Sequence, residues 1–87
     1  MPYITPERRT VLDPFLNDVG GLIDSSGELN YCIAVLLMTF LARSGTLRYT
    51  FIAEVSGVLD NVSKEFYRRV VVPYENGKRN ENGDVYE

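Results

Sequence analysis

The stretch LNYCIAVLLMTFLA, residues 29–42, decides the fold class of this chain. Only Asn30 and Thr39 in it are plainly polar, and at 100° per residue they lie on opposite sides of a helix. Such a helix has no polar face, so we expect it to be buried on all sides. Because a chain of 87 residues offers few neighbours to bury it, the stretch predicts a core completed by a second copy of the chain.

Composition and length indicate one globular domain. Hydrophobic residues make up 45% of the chain, and the apolar run is shorter than the ~20 residues that cross a bilayer. The first nine residues, MPYITPERR, lack the apolar segment of a secretory signal. We therefore expect a cytoplasmic protein that does not contact the membrane, with its single cysteine, Cys32, reduced and buried.

The residue types in the chain exclude several kinds of metal and catalytic site. With no histidine and one cysteine, the sequence excludes a zinc site of the usual ligand types and any Ser-His-Asp or Cys-His catalytic arrangement. A net charge of −3 argues against broad nucleic-acid binding, which depends on phosphate contacts. The sequence therefore predicts no catalytic residues, no metal site and no cofactor.

Capping signals divide the chain into three helices. Thr5 before a proline predicts the start of the first helix, and the pair of residues 13–14, Asp-Pro, predicts a restart near Asp13. Ser25 followed by Glu28 is a capping box for the second helix, which the pair of residues 44–45, Ser-Gly, should end. The third helix is expected from about Arg48 to Val71, stopping before Pro73.

These signals predict an all-α protein, a small three-helix bundle with a turn-rich C-terminal tail, completed by homo-oligomerisation. Apolar residues of the third helix recur in steps of three and four, which is typical of an antiparallel seam. On the same helix, an acid stands four residues before a base twice, which predicts the ion pairs Asp60–Lys64 and Glu65–Arg69. We expect a helical domain over residues 1–73 and a tail over residues 74–87, since the tail has two Asn-Gly pairs and almost no aliphatic residue.

The candidate binding site is a basic and aromatic segment around the end of the third helix. Arginine forks match phosphate or carboxylate groups, and tyrosine faces stack on planar rings. This combination fits an anionic, nucleotide-like ligand, and equally a protein–protein contact or a solvated charged surface. The candidate residues are Tyr67, Arg68, Arg69, Tyr74 and Lys78.

Carboxylates on the helices leave one catalytic alternative open. Glu54 and Glu65 are eleven residues apart, about 16 Å along one helix, which is too far to share one metal ion. Glu28 could complete a cage like that of the all-α nucleoside-triphosphate pyrophosphohydrolases, which use acids one turn apart. None of Glu28, Glu54 and Glu65 is followed by the E-x-x-E or E-x-x-D spacing of those enzymes.

Several short motifs resemble an uncharacterised family of small phage and bacterial proteins. They are PYI (2–4), LDP (12–14), GELNY (27–31), GVL (57–59), KEFYRRV (64–70), PYE (73–75) and NGDVY (82–86). The segment SGTLRYTF is less typical of that family. The resemblance implies a small protein made in the cytoplasm of an infected or lysogenic bacterium, a class that includes proteins that sequester nucleotide signals.

Three functions follow from these observations. The first is a homo-oligomer that binds, and by binding sequesters, a small anionic nucleotide-like ligand. The second is an accessory protein that targets a host protein through Tyr67, Arg69 and Tyr74. The third is a metal-dependent nucleotide phosphohydrolase with degenerate motifs.

Overall fold

The computed structural model describes residues 2–43 and 45–86, and all regular structure in them is helical. There are three continuous helical stretches, the last of which contains a π-helical turn. Helix α1 spans Pro6–Leu22, α2 spans Ser26–Ala42, α3 spans Tyr49–Phe66, the π-helical turn spans Tyr67–Val71, and α4 spans Val72–Asn82. The predicted all-α class is confirmed.

Helix α1 begins at the predicted cap and runs through an interior proline. The Oγ1 atom of Thr5 accepts a hydrogen bond from the N–H of Arg8 at 3.3 Å. The predicted restart near Asp13 is wrong, because α1 is unbroken past Pro14. That proline removes the donor for the carbonyl of Thr10, and since α1 is exposed along its length, water can satisfy this oxygen instead.

Helix α2 begins with the predicted capping box. The Oγ atom of Ser25 accepts from the N–H of Glu28 at 3.1 Å, and Glu28 Oε1 accepts from the N–H of Asp24 at 2.8 Å. After the helix, Gly45 has a φ of +72°, the left-handed conformation that favours glycine. Ser44, the other residue of the predicted stop, lies outside the described residues.

The third helical stretch does not end near Val71 as expected. Instead, the N–H of Val72 donates to the carbonyl of Tyr67, five residues earlier. In a regular α-helix the ring of Pro73 would collide with the carbonyl four residues before it. The wider π turn accommodates one extra residue, and helical structure continues past the proline to Asn82.

The chain divides into two units, Pro2–Ala53 and Glu54–Glu87. In the first unit, α1 and α2 do not pack side by side along the residues that the structure describes. The rings of Phe40 on α2 and Phe51 on α3 make a contact there, with centroids 5.2 Å apart. In the second unit, the π-helical turn and α4 are in contact.

Apolar side chains in the described part of the chain are mostly uncovered. Val55 is the one buried residue there, at 8% exposed, whereas Tyr31 and Met38 of α2 are 70% and 65% exposed. Cys32 is half-buried. A single chain therefore does not provide the expected burial of α2. None of the described helices is both long enough and apolar enough to cross a membrane.

Candidate ligand-binding site

The π-helical turn carries three of the five predicted site residues. Tyr67, Arg68 and Arg69 lie in its five residues, and Tyr74 and Lys78 follow on α4. Turns of this kind are rare and often occur at functional positions, because they change the direction of side chains within an otherwise regular helix. The predicted residues are thus placed by a local feature that Pro73 imposes.

The two arginines have different surroundings. The Nη2 atom of Arg68 lies 3.0 Å from both carboxylate oxygens of Glu65. Helical spacing predicted that Glu65 pairs with Arg69, four residues on, and this is wrong because the acid binds the arginine three residues on. Arg69 is exposed, and its side chain has no hydrogen bond or ion pair with any residue that the structure describes. Its guanidinium is therefore available to an external anion.

Two aromatic rings lie near these arginines in sequence. Tyr67 is 59% exposed and Tyr74 is 64% exposed, so each ring presents a face to solvent. The Nζ atom of Lys78 is 5.7 Å from the Tyr74 ring centroid, within cation–π range, and 3.5 Å from Glu81 Oε2. Within the described residues, no hydrogen bond, ion pair or cation–π interaction joins this Tyr74–Lys78 pair to Arg69. The five predicted residues therefore form two adjacent groups along one helical stretch.

Sequence reasoning missed a groove at the end of α4. Its volume is about 370 Å³. Lys78 is the one predicted site residue in its described lining, which also includes Arg79 and Asp84. The Nη1 atom of Arg79 lies 3.9 Å from Asp84 Oδ2, and Asp84 Oδ1 accepts from the N–H of Tyr86 at 2.8 Å. The Asn-Gly-Asp motif was the available signal, because its glycine has a φ of +88° and turns the chain back along the helix.

A further ion pair precedes the π-helical turn. Lys64 Nζ lies 2.8 Å from Asp60 Oδ2, as the four-residue spacing predicts. The hydrogen bond from Lys64 to Asp60, and secondarily the charge of that carboxylate, raise the pKa of the Lys64 ammonium above 10.5. Since both side chains are mostly exposed, the pair belongs to the solvated surface.

The carboxylate cage required for phosphohydrolase chemistry is not formed in the described part of the chain. No three acidic or cysteine side chains there come close enough to hold one metal ion. Two acids near the candidate site pair with basic neighbours, Glu65 with Arg68 and Glu81 with Lys78. The local geometry is that of an exposed surface with charged and aromatic side chains.

Fold and site together define a small all-α protein with exposed arginine, lysine and tyrosine side chains on its last helical stretch. The chain belongs to the family described as a domain of unknown function, DUF6899, whose model matches residues 1–85. It matches no curated protein and no solved structure.

Proposed function

We propose that the protein is a non-catalytic binding protein that captures a small anionic, nucleotide-like ligand. The binding surface comprises Tyr67, Arg68, Arg69, Tyr74 and Lys78, and Arg69 makes its main contact with the anion because Arg68 is already paired with Glu65. In this proposal the protein acts as a homo-oligomer and holds its ligand away from the rest of the cell. The motifs quoted above favour a phage-encoded protein in the cytoplasm of a bacterial host.

The observation that carries the proposal is the unpaired guanidinium of Arg69. Arg68, Lys78 and Arg79 each have an acidic partner, whereas Arg69 has none in the described residues. An arginine fork without an internal partner matches phosphate oxygens in a bidentate manner, and the exposed ring of Tyr67 offers a surface on which a base can stack. A phosphate joined to a planar base combines these two requirements.

A thermal-shift experiment with a nucleotide panel tests this function. The panel contains mononucleotides, cyclic mononucleotides and cyclic dinucleotides, with magnesium chloride alone as the control. We expect the melting temperature to rise with at least one nucleotide and to stay unchanged with magnesium alone. A panel without any shift, repeated by calorimetry at millimolar nucleotide, would contradict the proposal.

A second candidate function is the binding of a host protein. Phe66 and Val70 flank the two arginines and are 58% and 51% exposed, so the same surface combines apolar area with arginine, as protein hot spots do. In that case, wild-type protein retains a specific host protein, and Phe66→Ala releases it while every nucleotide leaves the melting temperature unchanged. A nucleotide shift that survives Phe66→Ala would favour the first function.

A further inference from the structure

The charges of helix α2 lie only at its two ends. Glu28 is in the first turn and Arg43 is the C-cap residue, and the fourteen residues between them, 29–42, carry no charge. Arg43 is fifteen positions after Glu28, which at 100° per residue places the two charges about 60° apart around the helix. An acid at the N-terminal end and a base at the C-terminal end therefore lie on the same side of an apolar helix.

The side between these charges carries short or branched side chains. Cys32, Val35 and Thr39 lie on it, at intervals of three and four residues from Glu28. Small residues of this kind allow another helix to approach closely. The contact of α2 with its own unit uses a different part of the helix, since the ring of Phe40 meets Phe51.

We propose that α2 pairs antiparallel with α2 of a second copy, about a two-fold axis that passes between positions 35 and 36. In this arrangement Glu28 faces the partner's Arg43, and Cys32 faces the partner's Thr39. The two charge pairs form at the two ends of the interface, and the uncharged residues meet between them. The inference rests on the self-association in the proposed function and is independent of the ligand.

Charge complementarity selects this occupant and this orientation. A parallel pair would place Glu28 against the partner's Glu28 and Arg43 against the partner's Arg43, which is repulsive at both ends. The antiparallel pair is attractive at both ends, and it also opposes the two helix dipoles. A helix of unrelated sequence would match these charges only if it also carried an acid and a base fifteen positions apart on one side.

Uncovered apolar side chains of α2 contribute to such a pair. A stable interface takes about 800 Å² from each partner. The side that faces the partner supplies part of this area, since Val35 and Leu36 on it are 43% and 58% exposed and Tyr31 at its edge is 70% exposed. A second α2 could cover only the side that faces it, so side chains such as Met38 lie at the margin of the interface.

Disulfide trapping tests the pairing, because Cys32 is the chain's single cysteine. In the antiparallel pair, Thr39→Cys places a thiol directly opposite the partner's Cys32. The two native Cys32 residues are about 10 Å apart along the axis, beyond the ~7 Å limit for a disulfide. Mild oxidation should therefore link most of the Thr39→Cys protein as dimers, and leave the wild type and the Cys32→Ser/Thr39→Cys double variant unlinked.

The alternative outcomes separate this inference from the proposed function. Efficient linkage of wild-type protein through Cys32 would indicate a parallel pair and overturn the inference. A dimer in sedimentation whose Thr39→Cys form does not link would place the interface elsewhere and overturn the inference alone. A monomer at micromolar concentration would overturn self-association as well, whatever the thermal shift with nucleotides shows.

Charge reversal gives a second readout that does not depend on oxidation. Arg43→Glu and Glu28→Lys should each raise the dissociation constant of the dimer by at least about tenfold, since each places like charges together. Because Glu28→Lys also removes the hydrogen bond that Glu28 accepts from the N–H of Asp24, the helix content of each variant is compared by circular dichroism. The double variant restores attraction at both ends and should recover most of the loss. Additive losses in the double variant would contradict the pairing.

Discussion

The Nη2 atom of Arg68 lies 3.0 Å from both carboxylate oxygens of Glu65, and this pairing leaves the Arg69 side chain without a partner among the residues that the structure describes. The arginine that is bound and the arginine that is free are adjacent in the chain. Single substitutions can therefore separate a surface ion pair from a ligand contact.

Arg69→Ala should weaken nucleotide binding by about 10- to 150-fold, the range of about 1.5–3 kcal/mol for a hydrogen bond to a charged group. The free energy of unfolding should change by less than about 0.5 kcal/mol, because Arg69 has no partner to lose within the described residues. Isothermal titration with the nucleotide found in the thermal-shift panel, together with urea denaturation, measures both quantities.

Arg68→Ala is the matched control. It should lower the free energy of unfolding by about 0.2–1 kcal/mol, since the Glu65–Arg68 pair is largely exposed. Its effect on binding should be much smaller than that of Arg69→Ala. Equal and negligible effects of the two variants on nucleotide affinity would assign both arginines to the solvated surface.

Interior prolines of α1 and of the third helical stretch allow a second comparison. Pro14 lies within regular α-helix, whereas Pro73 follows the π-helical turn. Pro14→Ala should raise the free energy of unfolding by up to about 3 kcal/mol, because it restores a hydrogen bond and removes a clash. Pro73→Ala should raise it less, since the π turn has already relieved the clash. Urea denaturation followed by circular dichroism measures both values, and a larger gain from Pro73→Ala would contradict this account.

Local capping chemistry was predictable from sequence, whereas long-range and mid-helix features were not. Thr5 and the Ser25–Glu28 box act through residues three positions apart, so their patterns specify them directly. The π turn before Pro73 depends on whether the helix gains more by continuing past the proline than it loses with one hydrogen bond. The sequence does not show this difference, and the proline alone predicted that the helix ends before it. The choice of Glu65 between two arginines was missed for a similar reason, because spacings of three and four residues are both allowed on a helix.

The Asp60–Lys64 pair predicts a pH dependence. Because the pKa of Lys64 is raised above 10.5, the contribution of this pair to stability is fully present below pH 10.5 and is lost as the pH rises through the raised value. In Asp60→Asn the lysine should titrate at its ordinary value. NMR titration of the Lys64 side chain between pH 9 and pH 12 measures the shift, and identical titration in the two proteins would contradict it.

Self-association should be visible directly. The exposed apolar residues of α2 predict a species larger than 9.9 kDa in light scattering at micromolar concentration. Cys32, half-buried in one chain, should react slowly with a thiol reagent in the assembled protein and faster on dilution. A monomer of 9.9 kDa whose thiol reacts at one rate at all concentrations would contradict this prediction.

Two glycines of the C-terminal segment should respond oppositely to alanine. Gly83 has φ +88° and ψ 158°, a region that is essentially restricted to glycine, and its N–H donates to the carbonyl of Arg79 at 2.8 Å. Gly77 lies inside α4, and a methyl group added there would meet open space. Gly83→Ala should therefore destabilise the turn over residues 83–86 by about 1–3 kcal/mol. Gly77→Ala should stabilise α4 by roughly 0.5–1 kcal/mol.

Amide hydrogen exchange gives the local readout for this pair. The N–H of Tyr86 is held by Asp84 Oδ1 at 2.8 Å, so its exchange reports whether the turn is formed. In Gly83→Ala this amide should exchange faster, whereas in Gly77→Ala it should exchange at the wild-type rate or more slowly. Because neither new methyl group meets another atom within 4 Å, the difference arises from backbone conformation and not from a clash. Unchanged exchange of Tyr86 in Gly83→Ala would mean that the turn does not depend on the left-handed glycine.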